Sequence, residues 1–152
     1  MIEFKRILAP SDFSSHSEQA LRYACGLAER FGAELHIIHV LSEIVPTGPD
    51  PLLIPAMPPQ FYEEDEARAK EALKGVVKPG WGTPPGLVTA VRWGSPAEAI
   101  VDYAAENQAD LLVIATHGRT GLSHVLLGSV AERIVREAPC PVLTIRSAAA
   151  RS

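Results

Sequence analysis

Residues 111–130 read LLVIATHGRTGLSHVLLGSV, and this stretch decides how the chain folds. Its continuous apolar run, residues 111–115, predicts a strand buried on both faces, as in parallel sheets that are covered by helices. Gly118 and Gly121 then allow a sharp turn or the close approach of a ligand. A new amphipathic pattern begins at Gly128, and Ser129 is predicted to cap a helix there. A strand, a glycine loop and a helix start can cradle an anion, although glycines after a strand often make only a turn.

The composition predicts one domain. The chain has 152 residues, 47% of them hydrophobic, which is enough for a single large core. We expect a domain over residues 1–146 and a flexible tail over residues 147–152. The net charge of −4 disfavours binding to nucleic acid or to an anionic membrane. No apolar run reaches the roughly 18 residues of a membrane span, and the first residues lack a basic region followed by an apolar core, so we expect a cytoplasmic protein.

The cysteines and histidines do not form a metal-binding pattern. Cys25 and Cys140 make neither a CxxC pair nor another metal-ligand spacing, so both are predicted to be buried thiols. His36 and His39 fall in an apolar strand, where a hydrogen-bonded core histidine is the simpler interpretation. No metal site is predicted.

Strands and helices alternate along the chain. Apolar runs predict strands at residues 4–10, 34–41, 87–92, 111–115 and 141–146. Helical spacing predicts helices at residues 14–31, 60–76 and 128–138, and a further one that begins with a Ser95 cap, Pro96 at its first position and Glu98 at the capping-box position. The six prolines of residues 42–59 exclude a regular element, which leaves a mobile cover, a partner surface or a plain variable loop.

This alternation predicts an α/β fold: a doubly wound domain whose five-stranded parallel sheet has helices on both faces. Such sheets bind ligands beyond the carboxyl ends of their strands, where the strand order reverses. If the order is 3-2-1-4-5, the reversal lies between the first and fourth strands. The polar ends of these strands, Pro10-Ser11-Asp12 and residues 115–118, would then face one crevice.

Five segments resemble the universal stress protein family: RILAPSDFS at residues 6–14, GSPAEAI at 94–100, THGRTG at 116–121, LGSVAER at 127–133 and APCPVL at 138–143. The resemblance covers residues 5–146. It implies a sheet of order 3-2-1-4-5 and a homodimer formed through the last strand, by Val142, Leu143, Thr144 and Ile145. An uncovered apolar edge strand exposes unpaired backbone groups that promote aggregation. Pairing with a second copy would cover them.

Many members of this family bind ATP through a motif of Gly, two residues, Gly, nine residues, Gly and then Ser or Thr. The downstream half is present, since nine residues separate Gly118 from Gly128-Ser129. The first glycine position holds Ala115 instead. Its methyl group is either tolerated or crowds the ribose or phosphate.

The resemblance also implies which residues bind the nucleotide. Asp12 should meet the adenosine part and Val40 should line the adenine pocket. Gly118, Gly128, Ser129 and Val130 should contact phosphates, with His117 and Arg119 close by. An arginine there could donate two hydrogen bonds to a phosphate or could simply be solvated. The whole predicted nucleotide set is Pro10, Ser11, Asp12, Val40, Ile114, Ala115, His117, Gly118, Arg119, Gly128, Ser129 and Val130.

Three functions follow from these residues. The first is a dimeric stress-response sensor or regulator that binds ATP or another adenine nucleotide. The second is a slow ATPase that uses Mg²⁺ held by phosphate oxygens and by Asp12, although no GxxxxGK[ST] motif is present. The third is a dimeric interaction module that binds no nucleotide, which Ala115 would favour. Serine hydrolase chemistry is disfavoured because neither Ser123-His124 nor Ser11 with Asp12 and His16 forms a nucleophile elbow with a separate base.

Overall fold

The computed structural model describes residues 1–43, 57–118 and 127–147. Nine elements alternate along these ranges: β1 (Arg6–Pro10), α1 (Ser15–Phe31), β2 (Glu34–Leu41), α2 (Pro59–Lys74), β3 (Gly86–Trp93), α3 (Pro96–Glu106), β4 (Leu111–Ala115), α4 (Ser129–Glu137) and β5 (Val142–Ile145). Residues 44–56 of the predicted proline-rich loop and residues 148–152 of the predicted tail lie outside the described ranges.

The five strands form one parallel sheet of order β3-β2-β1-β4-β5, which confirms the predicted fold. Strand β1 lies at the centre, with Leu8 opposite His36 of β2 on one side and Leu112 of β4 on the other. Because the chain first adds strands on one side of β1 and then on the other, the strand order reverses between β1 and β4.

Successive side chains of β1 enter two different hydrophobic cores, as the period of two in a strand requires. Ile7 and Ala9 pack with α1 and α2 in a first core cluster, which also contains Leu21 and Leu73. Leu8 packs on the opposite face of the sheet, in a second core cluster that is covered by α3 and α4 and contains Tyr103, Ile100, Ile114 and Ile134. The central strand therefore reads as a continuous apolar run.

Local sequence signals set most helix ends. Ser14 is the N-cap of α1, where its side chain accepts a hydrogen bond from the Ser17 amide, and Gly32 ends the helix with a φ of 66°. Of two other predicted serine caps, one holds in position only and the other was wrong. Ser95 occupies the N-cap position of α3 but makes no capping hydrogen bond, and the N-cap of α4 is Gly128, so Ser129 is its first residue.

Cys25 is buried in the first core cluster, as predicted. Burial raises the pKa of its thiol from 9.0 to about 11, because the thiolate loses its hydration. Cys140 is only partly buried, so its prediction holds in part. Burial, followed by the nearby Asp110 charge, raises the pKa of the Cys140 thiol as well.

His36 is a hydrogen-bonded core histidine, as its sequence context predicts. Its Nε2 lies 2.6 Å from Oε1 of Glu34, and its Nδ1 lies 2.8 Å from the hydroxyl of Tyr103. If Nε2–H donates to the Glu34 carboxylate, Nδ1 accepts the proton of the tyrosine hydroxyl. This chain of hydrogen bonds ties β2 to α3.

Replacing Tyr103 by Phe removes the donor to Nδ1 of His36 and leaves a buried nitrogen unpaired. We expect Tyr103→Phe to lower the free energy of unfolding by about 1–3 kcal/mol, measured by urea denaturation at neutral pH. The matched control is Tyr23→Phe, since the Tyr23 side chain is 54% exposed whereas Tyr103 is 4% exposed. Equal losses in the two variants would show that the buried hydrogen bond contributes nothing net.

Candidate functional site

A cavity of about 290 Å³ opens at the carboxyl ends of the strands, where β1 and β4 lie side by side. The strand ends form its floor, and the first turns of α3 and α4 form part of its wall. Open parallel sheets bind their ligands at this reversal of strand order.

The turn after β1 supplies the acidic side of the cavity. Ser11 continues the β1 pairing, since its amide donates to the Ile38 carbonyl at 2.8 Å. Its hydroxyl then accepts a hydrogen bond from the Phe13 amide at 3.1 Å. The carboxylate of Asp12 accepts from the Ser14 amide at 2.9 Å and from the Ser14 hydroxyl. The turn thus holds Asp12 through hydrogen bonds to the residue that caps α1.

The segment after β4 approaches the start of α4 closely. The Thr116 amide donates to the Ile145 carbonyl of β5 at 3.0 Å, and the Thr116 carbonyl accepts from the Gly128 amide at 2.7 Å. A Cβ atom at Gly128 would lie 3.3 Å from that carbonyl oxygen, which is a tight contact. Glycine therefore lets the N-terminus of α4 reach the end of β4.

Gly118 brings the two strand ends together. A Cβ atom at this position would lie only 2.8 Å from Oδ2 of Asp12. The Asp12 carboxylate is thus packed against the backbone of Gly118, and any larger residue there would displace it. A side chain at this position would therefore require the Asp12 carboxylate to move.

An apolar slot lies beside these polar strand ends. It is formed by side chains that also belong to the second core cluster, and the cavity is lined there by Ile38, Val40, Ile100, Ile114, Ala131 and Ile134. A flat, largely apolar group such as a purine ring fits a slot of this kind, with polar groups at its open end.

Ala115 lines the cavity, yet its methyl group packs on the other face of the sheet. Its side chain contacts the first core cluster, whereas the preceding Ile114 belongs to the second cluster, on the side of the apolar slot. Neighbouring residues of a strand point to opposite faces. The alanine methyl group therefore fills space between the sheet and α1 rather than space in the slot.

The ionisable side chains of the cavity are few. Among the described residues, its lining contains the carboxylate of Asp12, the imidazoles of His39 and His117, and no lysine or arginine. Nδ1 of His39 lies 2.7 Å from the Ser11 carbonyl and donates to it, and the ring stacks on Phe13 with centroids 4.5 Å apart. Positive potential comes instead from the amides at the N-terminus of α4.

The structure brings eleven of the twelve predicted residues to this cavity: Pro10, Ser11, Asp12, Val40, Ile114, Ala115, His117, Gly118, Gly128, Ser129 and Val130. Arg119 lies outside the described residues. Further lining residues were not predicted, namely Ser17, Ile38, His39, Pro96, Ile100, Thr116, Ala131 and Ile134. Helical spacing around Ile100 and Ile134 could have indicated the apolar wall, since both face the sheet.

The described ranges contain neither a metal-binding cluster nor a membrane-spanning helix. No group of three or more His, Cys, Asp or Glu residues there is arranged to hold a metal ion. No helix there is long and apolar enough to cross a membrane.

A sequence model of the universal stress protein family matches residues 3–146. The chain belongs to this family. A universal stress protein of Methanocaldococcus jannaschii is 37% identical to it over 150 residues, covering 94% of this chain and 82% of the relative.

Solved structures of universal stress proteins share the fold. UspA from Lactobacillus plantarum has a TM-score of 0.78 and 29% identity, and the match covers 96% of this chain and 100% of that one. A universal stress protein from Archaeoglobus fulgidus was solved in complex with dAMP. It has a TM-score of 0.59 and 25% identity, with 95% of this chain and 99% of that one covered.

The position of the Ala115 methyl group predicts the effect of removing it. We expect Ala115→Gly to lower the free energy of unfolding by about 0.5–1 kcal/mol, because the strand gains backbone entropy when unfolded and the first core cluster loses a methyl contact. Urea denaturation measures this change. An unchanged or higher stability would mean that the methyl group does not pack in that cluster.

Proposed function

We propose that this universal stress protein binds ATP or another adenine nucleotide and acts as a dimeric stress-response sensor or regulator. The observation that carries the proposal is the cavity at the reversal of strand order, where an apolar slot meets the glycine-bordered N-terminus of α4. The Archaeoglobus fulgidus relative that was solved with dAMP supports an adenine nucleotide as the class of ligand. The cytoplasmic location stays a prediction from the sequence.

The adenine ring would occupy the apolar slot beside Val40. The phosphates would then lie at the other wall, where α4 begins and no side chain caps its first amides. The Gly128 amide itself already donates to the Thr116 carbonyl. Uncapped amides at a helix N-terminus attract anions, and Ser129 adds a hydroxyl. Asp12, at the end of β1, would meet the adenosine part of the ligand.

Ala115 is compatible with this binding mode. Its methyl group packs in the first core cluster and so leaves the slot open. This packing favours nucleotide binding over an interaction module with a closed site. Magnesium, if it enters with ATP, would be held mainly by phosphate oxygens, since Asp12 is the one carboxylate in the described lining.

The first test is acid extraction of the purified protein, followed by calorimetric titration of the stripped protein with ATP and Mg²⁺. We expect saturable binding, and we expect Gly118→Ala to weaken it about tenfold or more, because the new methyl group displaces the Asp12 carboxylate. The matched control is Gly75→Ala, since a Cβ atom at Gly75 meets no atom within 4 Å.

Two results would contradict the proposal. One is the absence of both extracted nucleotide and titration heat at millimolar ATP, ADP and AMP, which would leave the interaction module as the better function. The other is equal binding by Gly118→Ala and the wild type, which would place the ligand elsewhere.

The dimer is proposed to form through β5. This strand lies at the edge of the sheet, where it pairs with β4. Its Leu143 is 37% exposed, and Val135 of the neighbouring α4 is 46% exposed. Antiparallel pairing of β5 with its symmetry mate would cover both apolar side chains and the unpaired backbone groups.

Light scattering after gel filtration at tens of micromolar protein tests the dimer. We expect a dimer mass for the wild type and a monomer mass for Leu143→Lys, because a charge at the edge strand opposes pairing. Leu87→Lys is the matched control, since Leu87 is 48% exposed on β3 at the opposite edge. A monomeric wild type, or dissociation caused only by Leu87→Lys, would contradict the β5 interface.

A further inference from the structure

The Asp12 carboxylate restricts which part of a nucleotide it can bind. An ionised carboxylate only accepts hydrogen bonds and repels phosphate, so its partners on an adenine nucleotide are hydrogen-bond donors. The donors are the ribose hydroxyls and the adenine amino group. Since the adenine is assigned to the apolar slot and the phosphates to the start of α4, the ribose hydroxyls are the donors left for Asp12.

A carboxylate binds a pair of hydroxyls well only when its rotation is fixed. One oxygen of Asp12, Oδ1, accepts hydrogen bonds from both the amide and the hydroxyl of Ser14. The other oxygen, Oδ2, lies on the Gly118 side, 2.8 Å from the position of a Cβ atom there. One oxygen thus faces α1 and the other faces the β4 end of the cavity.

The Ser14 hydroxyl is itself oriented by α1. Its oxygen accepts a hydrogen bond from the Ser17 amide at 3.2 Å, as the N-cap of the helix. Because that bond uses a lone pair on the side of the helix, the hydroxyl proton is directed to Asp12. The Ser14 side chain therefore both caps the helix and, together with the Ser14 amide, holds Oδ1 of the carboxylate.

The backbone of this turn is held in a strained conformation. Phe13 has a φ of 62°, in the left-handed region that bulky side chains rarely adopt. Its ring stacks on His39, and its amide donates to the Ser11 hydroxyl. Such strain persists only where surrounding contacts maintain it, which fits a turn that is shaped by a binding requirement.

We propose that Ser14 is a positioning residue for the nucleotide, because its hydroxyl orients the Asp12 carboxylate toward the ribose hydroxyls. The inference rests on the proposed function and adds a selectivity for ribose to it. Ser14 does not touch the ligand, so its effect on affinity passes through Asp12.

The test compares ATP with 2′,3′-dideoxy-ATP, both with Mg²⁺, on wild type and Ser14→Gly. Glycine is a tolerated N-cap, so α1 keeps most of its stability while the hydroxyl is lost. We expect Ser14→Gly to weaken ATP binding by about 3–10-fold, the effect of one hydrogen bond, and to change dideoxy-ATP binding by less than about twofold. The preference for the ribose ligand should therefore shrink.

Two further variants separate positioning from helix capping. Ser14→Thr keeps a hydroxyl at the N-cap and should restore the preference for ATP over dideoxy-ATP. Ser95→Gly is the matched control, because Ser95 is also an N-cap but makes no capping hydrogen bond. It should leave both affinities unchanged.

The remaining outcomes overturn the inference in distinguishable ways. An equal loss for both ligands in Ser14→Gly would show that Ser14 only caps α1, and no loss would show that Asp12 is oriented without it. In both cases nucleotide binding itself stands. If the wild type binds neither ligand, the proposed function fails and this inference fails with it.

Discussion

The parallel pairing of β1 with strands on both of its sides is the constraint on which the rest of the structure depends. Because β2 and β4 both pair with β1, the chain must cross over one face of the sheet and later over the other. Each crossover places a helix on its face, and these helices bury Ile7 and Ala9 on one side and Leu8 on the other. The same pairing places the ends of β1 and β4 next to each other, which creates the cavity.

Most of this architecture could be predicted from the sequence because it depends on local patterns. Apolar runs marked the strands, and observed strand and helix ends lie within about two residues of the prediction, as for Glu34–Leu41 and Ser15–Phe31. The errors concern single hydrogen bonds. The N-cap of α4 is Gly128 rather than Ser129, one residue earlier than predicted. Ser95 occupies its N-cap position without the capping bond, which depends on one rotamer. Sequence spacing carries no information about that rotamer.

The sequence predicted which strand ends form the site. It did not predict the directions in which their side chains point. Gly118 and Gly128 could be placed from their spacing, whereas the effect of Ala115 depended on which face of the sheet its methyl group meets. That follows from the register of β4, in which Ile114 lies opposite Thr144 and Ala115 opposite Ile145. Register is a tertiary property. The sequence therefore could not decide whether the Ala115 methyl group is tolerated or crowds the nucleotide. The apolar wall from α3 was missed although the helical spacing of Ile100 placed it on the face toward the sheet.

The position of α4 gives the proposed sensor a physical route from ligand to dimer. Its first residues line the cavity, and its last residues lead directly into β5 through the turn that ends at Pro141. The helix is short, since it spans only Ser129–Glu137. Ile134 is buried against the sheet in the second core cluster, so α4 is packed between the cavity at its start and β5 after its end. In the proposed function, α4 therefore meets both the nucleotide cavity and the dimer edge, and any coupling between the two would act equally in both directions.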